Sequence, residues 1–471
     1  MLPLIRENRL NLLKADQEEI KQGLMNGVFK TTVVGVGTVG TYIAAEFLKA
    51  GAQVIGADIR PDVVEAINNR NGGSFDPEIR EIFHNKLSEG KLTATTDVAG
   101  AVADSKVICI SVPTLLDKDG KPDLSHLKFA ADTVSKGLNK HSIVMLYSTV
   151  SIGTTRNILL PILQQNGLTI GDFCLAFTPE RMNPGVTLDK LSKIPRVVSG
   201  IDARSKNVAA MIIKTLAKEV VSVSSVELAE ATKLFENTFR DVNIAFVNEL
   251  AIYFNRLGLD ALEVVEAAST KWNVVAHYPG AGVGGYCIPV SPRYLAIGSN
   301  PDELRIVKAA REINDNMPNY VINLVVNTLS QLDKPIKRAK ITVLGLAYKE
   351  NLSDLRWSPS IQIIEPLKAL GANLSLHDPH ALNEDVNKMY GLYNLPLEEA
   401  LRDSDCMIVV TGHKEFKELP FEKIKTLMKS RAVVIDGRNI LNSADVVSNG
   451  FIYAAVGRTV RTPMTTHQLA A

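Results

Sequence analysis

At 471 residues and 46% hydrophobic the chain is too long for a single core, which predicts two or three domains. Lys+Arg at 52 against Asp+Glu at 51 leave a net +1, no field for wrapping a nucleic acid or coating a membrane. Four scattered cysteines, with no CxxC pair and no histidine cluster at metal spacing, speak against a disulfide framework and a metal site, and fit a reducing, cytoplasmic setting.

Residues 1–30 carry charges throughout, so they predict a charged amphipathic helical extension rather than a signal peptide or membrane span. "KTTVVGVGTVGTYIAAEFLKAGAQVIGADIRPD" then reads as strand, tight turn, helix and strand. In its turn Gly35 permits the bend, Gly37 lets backbone approach a pyrophosphate, and Gly40 lets helix and strand pack, with Thr38 and Val39 between them. Asp58, eighteen residues past Gly40, closes the second strand where a carboxylate accepts ribose hydroxyls. It would repel a 2′-phosphate, so the expected cofactor is NAD, with Arg60 the one residue that pulls the other way. "KVICISVPT" and "SIVMLYSTVSIGTT" predict further parallel strands, whose carboxyl ends bring Pro113, Thr114, Ser148 and Thr149 to the ligand crevice. For Ser148 alone, ordinary turn chemistry is the preferred reading.

"FTPERMNPG" (177–185) predicts a loop that holds Glu180 and Arg181 between prolines. After it comes the strongest helix of the chain, predicted from a capping box of Ser224 and Glu227 to Gly258. Lys233 and Asn237 share one face of it beside apolar neighbours, a setting that depresses a lysine's pKa and suits it to proton transfer or oxyanion stabilisation, although such a lysine taken alone is more often a snorkelling surface residue. "GAGVGGYCIPVSP" (280–292), just after Tyr278, presents Cys287 behind Gly280, Gly282, Gly284 and Gly285, a setting for nucleophilic attack on a carbonyl carbon. The other three cysteines read as core fillers. A connecting helix over 302–332 leads to a second strand-turn-helix-strand unit, whose turn Gly345-Leu346-Ala347-Tyr348-Lys349 lacks the glycine triplet. Lys349 there suggests a phosphate-bearing ligand of another kind, while Arg438, past a later strand, reads equally as a nucleotide contact or a plain turn arginine.

The expected architecture is α/β, two doubly wound Rossmann-like domains joined by a helical central domain with a long spine helix. The boundaries are an extension over 1–30, a dinucleotide domain over 31–205, a central domain over 206–334 and a second α/β domain over 335–471.

In order, GVGTVG, STVSIGTT, TPERMNPG, EATKLFENTFRDVNIAFVNELA, GAGVGGYCIP, LGLAYKENLSDLRWSP and VIDGRNI resemble the UDP-glucose/GDP-mannose dehydrogenase family over nearly all of 31–460. The wording of "YPG" and "VGGYCIPV" is most similar to the branch acting on UDP-N-acetylhexosamines. The resemblance implies oxidation of a sugar C6 alcohol to a carboxylate with two NAD+, toward surface glycan assembly. Lys233, Glu180, Thr149 and Asn237 would manage the alcohol proton and the oxyanion, and Cys287 would trap the aldehyde. Lys349 and Arg438 would bind the UDP portion, the glycine collar would let it lie against backbone, and the long helix would build a homodimer. Glu180, Arg181, Lys233, Asn237, Tyr278, Gly282, Gly284 and Gly285 complete the expected substrate site.

The chain also departs from the pattern. Ser291 stands where the family carries an aspartate, Thr38 replaces a tyrosine, Tyr286 replaces a histidine, and "TKWNV" (270–274) lacks an arginine of mannosamine-type relatives. A two-electron dehydrogenase leaves Cys287 and residues 335–460 unexplained. A non-catalytic sugar-nucleotide binder would account for the loss of the charge at position 291.

Overall fold

The computed structural model describes residues 11–69, 76–182, 187–300 and 302–463. The expectation for residues 1–10 lies outside them. The chain divides into two compact units. One runs through Glu236 and takes in Arg293–Gly298; the other holds Asn237–Pro292 and the chain from Ser299.

In the first unit the strands are β1 (Thr31–Val34), β2 (Val54–Ala57), β3 (Leu92–Thr95), β4 (Val107–Ile110), a short ribbon of β5 (Leu115–Leu116) and β6 (Pro122–Asp123), β7 (Ile143–Leu146), β8 (Cys174–Phe177), β9 (Arg196–Gly200) and β10 (Val220–Ser222). The main sheet has the order β10-β9-β8-β7-β4-β1-β2-β3 and is parallel except between β8 and β9. Its central runs, TTVV, VICI, IVML and CLAF, are buried at every position, as strands covered on both faces must be. The extension contributes a helix, Gln17–Met25, started by a capping box of Asp16 and Glu19. Its Leu12, Ile20, Leu24 and Phe29 join the unit's core.

The second unit has β11 (Lys340–Leu344), β12 (Asn373–His377), β13 (Cys406–Val409), β14 (Val433–Asp436), β15 (Ile452–Ala455) and β16 (Arg458–Arg461), in the order β12-β11-β13-β14-β15-β16, with only the last pair antiparallel. The strand order reverses at β11, so the crevice of a doubly wound sheet opens between β11 and β13. In the first unit the same reversal falls between β1 and β4.

Both units use one local device at that reversal. Thr32 on β1 donates its hydroxyl to Ala101 O and meets Ser105 Oγ; Thr342 on β11 does the same with Ala400 O and Ser404 Oγ. Gly35 and Gly345 come next with φ of +85° and +83°, and a Cβ on either would lie 2.5–2.6 Å from the carbonyl oxygen of Ser111 or Thr411. The acidic residue after the second strand then fastens the turn. Asp58 Oδ2 accepts from Val36 N, and Asp378 Oδ2 accepts from Leu346 N and Ala347 N.

The long helix is Val226–Arg256, roughly 46 Å at the α-helical rise, and Gly258 beyond it has φ +77°. Its start differs from the expected capping box. Ser225, not Ser224, accepts from Leu228 N, while Glu227 pairs with Arg156 at 2.6 Å. A pair of adjacent serines leaves the register open, and a cross-element cation decides it. No helix among the described residues is long and apolar enough to cross a membrane.

Burial alone would raise the Asp378 carboxyl. His413, which pairs with it at 3.0 Å, and the backbone N–H groups of Leu346 and His380 outweigh burial and hold it below the usual carboxylate range. A depressed carboxylate stabilises the fold above its unfolded pKa and loses that contribution on acidification, so the window lies below about pH 4. Asp378→Asn is predicted to lower the melting temperature at pH 7 and to flatten its fall between about pH 4 and 2, measured by calorimetry across that range.

Candidate active site

In the first unit the glycine turn has the shape that a dinucleotide requires. A Cβ on Gly40 would lie 1.9 Å from Gly35 O, whereas one on Gly37 meets nothing within 4 Å. The helix Thr38–Lys49 begins at Gly37 with no side-chain cap, which leaves its first N–H groups for an anion. Thr38 and Val39 form its first turn. Asp58 uses one oxygen for Val36 N and the other for Arg60 N, and a carboxylate with two acceptors engaged still has lone pairs for ribose hydroxyls. Arg60 pairs at the surface with Asp62, which competes with a 2′-phosphate for it. The residues therefore fit NAD.

At the neighbouring strand ends Thr114 Oγ1 donates to Thr149 O at 2.7 Å, which joins the two loops expected at the crevice, and Pro113 is exposed. Ser148 exchanges hydrogen bonds with Val112 N and O, so its hydroxyl serves the turn. Glu230 fastens the next segment: its buried carboxylate accepts from Gly153 N, Thr155 N and Thr155 Oγ1. Burial raises that carboxyl, and the three donors work against it.

Glu180 is buried, and its carboxylate is not free. Arg196 Nη1 donates to both oxygens at 2.8 and 2.9 Å, and Arg181 N and Met182 N donate to Oε1. The second Arg196 nitrogen donates to Glu46, whose carboxyl burial raises against the opposing pull of Arg196. Lys233, also buried, donates its ammonium to the backbone carbonyl of Glu180. Arg181 departs from its expected substrate role: its guanidinium binds Glu236 at 2.6 Å and Pro195 O at 2.6 Å. Charged neighbours distant in sequence occupy it.

In the second unit Cys287 opens the helix Cys287–Leu295 and is exposed, whereas Cys109, Cys174 and Cys406 are buried. Burial pushes the Cys174 thiol up to about 11 and the other two higher still, which leaves them inert. Ser291, one turn on, is buried; it accepts from Asn237 Nδ2 at 2.8 Å and donates to Cys287 O at 2.7 Å. The glycine collar departs from the expectation that it meets a ligand. A Cβ on Gly280 would meet Arg438, on Gly282 Pro318, on Gly284 Trp357 O, and on Gly285 the Tyr348 ring, all within 3.3 Å. The close approach is to the protein's own loops, and it seats the cysteine segment on the turn that carries Tyr348 and Lys349. Tyr278 stands exposed before it.

Lys349 is lowered first by burial and then by the charge of Arg240, which also acts on Arg438. Among the described residues the Arg240 guanidinium has no hydrogen-bond or ion-pair partner. Glu350 acts on Lys349 and Arg438 in the opposite sense, and Arg240, Lys349 and Arg438 together form a basic cluster that fits a diphosphate. Arg240 escaped sequence reading because one arginine on a long helix looks like a solvated face. Arg196, Glu46 and Glu230 escaped it because their partners lie 16 to 150 residues away. His380, His413 and Glu415 lie close enough to share an ion, but Asp378 and Asn351 N occupy both His413 ring nitrogens.

Three domain profiles of the UDP-glucose/GDP-mannose dehydrogenase family match: the NAD binding domain over 29–219, the central domain over 227–316 and the UDP binding domain over 342–443. The chain is 34% identical over 430 residues to a UDP-N-acetyl-D-mannosamine dehydrogenase of Pyrococcus horikoshii, covering 91% of this chain and 99% of that one. It is also 34% identical to a UDP-N-acetyl-D-glucosamine 6-dehydrogenase of Salmonella typhi, covering 88% and 96%. The solved structure of the UDP-D-ManNAc dehydrogenase from P. horikoshii superposes with a TM-score of 0.85 at 33% identity, over 91% of this chain and 99% of that one.

The two glycines separate packing from binding. Gly40→Ala is predicted to destabilise the first unit by at least ~2 kcal/mol in denaturant titration. Gly37→Ala should keep the wild-type transition and bind NAD+ about tenfold more weakly by calorimetry.

Proposed function

The chain belongs to the UDP-glucose/GDP-mannose dehydrogenase family, and we propose that it oxidises the C6 alcohol of a UDP-N-acetylhexosamine to the carboxylate, with UDP-N-acetyl-D-mannosamine the first candidate. The observation that carries this reading lies within the second unit. The glycines just before the exposed thiol of Cys287 pack on the turn of Tyr348, where a Cβ on Gly285 would lie 2.7 Å from the Tyr348 ring, and the next residue, Lys349, is one of three cations suited to a diphosphate. One unit thus offers a grip for a nucleotide diphosphate and a nucleophile for what hangs from it.

Bound NAD+ supplies a hydride acceptor for each of two oxidations, alcohol to aldehyde and aldehyde level to acid level. Lys233 and Asn237 stabilise the oxyanion at C6. The alcohol proton passes to water ordered by Thr149 and Asn237, while the Glu180 loop, its carboxylate taken by Arg196, holds Lys233 through its backbone carbonyl. The Cys287 sulfur adds to the aldehyde carbon; after the second oxidation the adduct is a thioester, and water cleaves its C–S bond to release the acid and the thiol. Ser291 cannot act as a charged base in that last step, but its hydrogen bonds keep Asn237 and Cys287 tethered. Against the binder reading that rests on this serine stands its hydrogen-bonded place between Asn237 and Cys287.

Apolar side chains exposed on the second unit support a homodimer: Phe246, Tyr253 and Leu257 on or beside the long helix, and Trp272 and Val275 at 93% and 71% exposure. Unpaired cysteines suit a cytoplasmic enzyme.

Purified protein offered UDP-N-acetylmannosamine, UDP-N-acetylglucosamine, UDP-N-acetylgalactosamine and UDP-glucose should release two NADH per sugar from one donor, and at most one with Cys287→Ala. Binding without NADH from any donor would replace the dehydrogenase with a sugar-nucleotide binder. Arg240→Ala should raise KM for the UDP-sugar about tenfold and leave KM for NAD+ unchanged in the same assay.

A further inference from the structure

The first unit buries a row of charges whose arrangement the proposed chemistry leaves unexplained. Glu46, Arg196, Glu180 and Lys233 are 9%, 4%, 7% and 8% exposed, and they come from four separate elements. Glu46 belongs to the helix that opens at the dinucleotide turn, Arg196 begins β9, Glu180 lies in the loop after β8, and Lys233 lies on the long helix. Burying ionised groups is unfavourable, and packed apolar residues in their place are often neutral or stabilising, so stability gives no sufficient reason for the row. Its geometry gives another. Arg196 holds both Glu180 oxygens with one nitrogen and Glu46 with the other, while Arg181 N and Met182 N close over Glu180 Oε1. With its carboxylate fixed inward, Glu180 has its backbone carbonyl left for Lys233 Nζ.

We propose that Arg196 is a positioning residue for the oxidation: by fixing the Glu180 carboxylate it presents the Glu180 carbonyl to the Lys233 ammonium, and through Glu46 it ties that geometry to the dinucleotide-binding helix. Arg196 touches no substrate and acts through Glu180 and Lys233. Loss of the guanidinium removes the donor that holds both Glu180 oxygens and Glu46, and frees the Glu180 loop to turn. The role of Lys233 in this inference rests on the proposed dehydrogenase function.

Three variants test it: Arg196→Met, Arg196→Lys, and Glu46→Gln, which keeps a hydrogen-bonding group opposite Arg196 and so remains folded. Steady-state NADH release should show kcat reduced about a hundredfold in Arg196→Met and about threefold to tenfold in Arg196→Lys and Glu46→Gln, with both KM values within about twofold of wild type. A second readout does not need activity. Lysine acylation by acetic anhydride, read peptide by peptide by mass spectrometry, should show Lys233 at least ~10-fold slower than exposed lysines in the wild type, with that protection lost in Arg196→Met while other lysines are unchanged. Wild-type kcat together with undiminished Lys233 protection in the variants would overturn the inference. If the wild type releases no NADH from any donor, the proposed function falls instead, and the acylation rates alone decide for or against Arg196 as the group that holds Lys233.

Discussion

The Arg196 guanidinium is the interaction on which the first unit's site most depends. It is buried, and each carboxylate it serves comes from another element, so the strand, the loop and the dinucleotide helix cannot shift independently. A charge removed from water demands partners with good geometry, and that demand passes along the chain. Glu180 must face inward, its carbonyl must face Lys233, and Lys233 must stay at that end of the long helix. Glu230, three residues earlier on the same helix, applies a similar constraint to the segment after Thr149. A nucleophile or a glycine turn can be supplied by local sequence; this register between elements cannot.

The two units solve one problem twice. A threonine pins the first strand to the helix that precedes the neighbouring strand and to a serine just beyond that helix, a glycine with positive φ clears the neighbouring strand, and an aspartate ties down the turn. Beyond that turn the two chains diverge. In the first unit a helix starts at once and leaves its uncapped N-terminus beside an open glycine, which suits a pyrophosphate. In the second the chain runs through Tyr348, Lys349 and Trp357 before the helix Pro359–Ala369 begins, so side chains rather than a helix N-terminus follow the turn. The same opening turn thus leads into two different arrangements that differ in where the helix begins.

Much of this was legible in the sequence because it is local. The glycine triplet with Asp58 eighteen residues on, the buried strand runs and the lone exposed cysteine each come from spacing or from residue type. What stayed hidden is set by long-range partners. Arg181 is expected at the substrate, yet Glu236 and Pro195 hold it, and Glu180 is expected among the residues that manage the alcohol proton, yet Arg196 holds its carboxylate. The collar glycines announced a close approach, but sequence does not say what approaches; the answer is the turn around Tyr348. Ser291 is the reverse case. It reads as a lost charge, yet its hydroxyl bridges Asn237 and Cys287.

The central claim is that Cys287 carries the sugar between the two oxidations. Rapid-quench intact mass measurement, after mixing the protein with the preferred UDP-sugar and NAD+, tests it most directly. The account predicts a transient mass increase equal to the sugar nucleotide at its acid level less water, located by peptide mapping on Cys287 and absent from Cys109, Cys174 and Cys406. Uronate formed at full rate with no adduct on Cys287 at any quench time would contradict it.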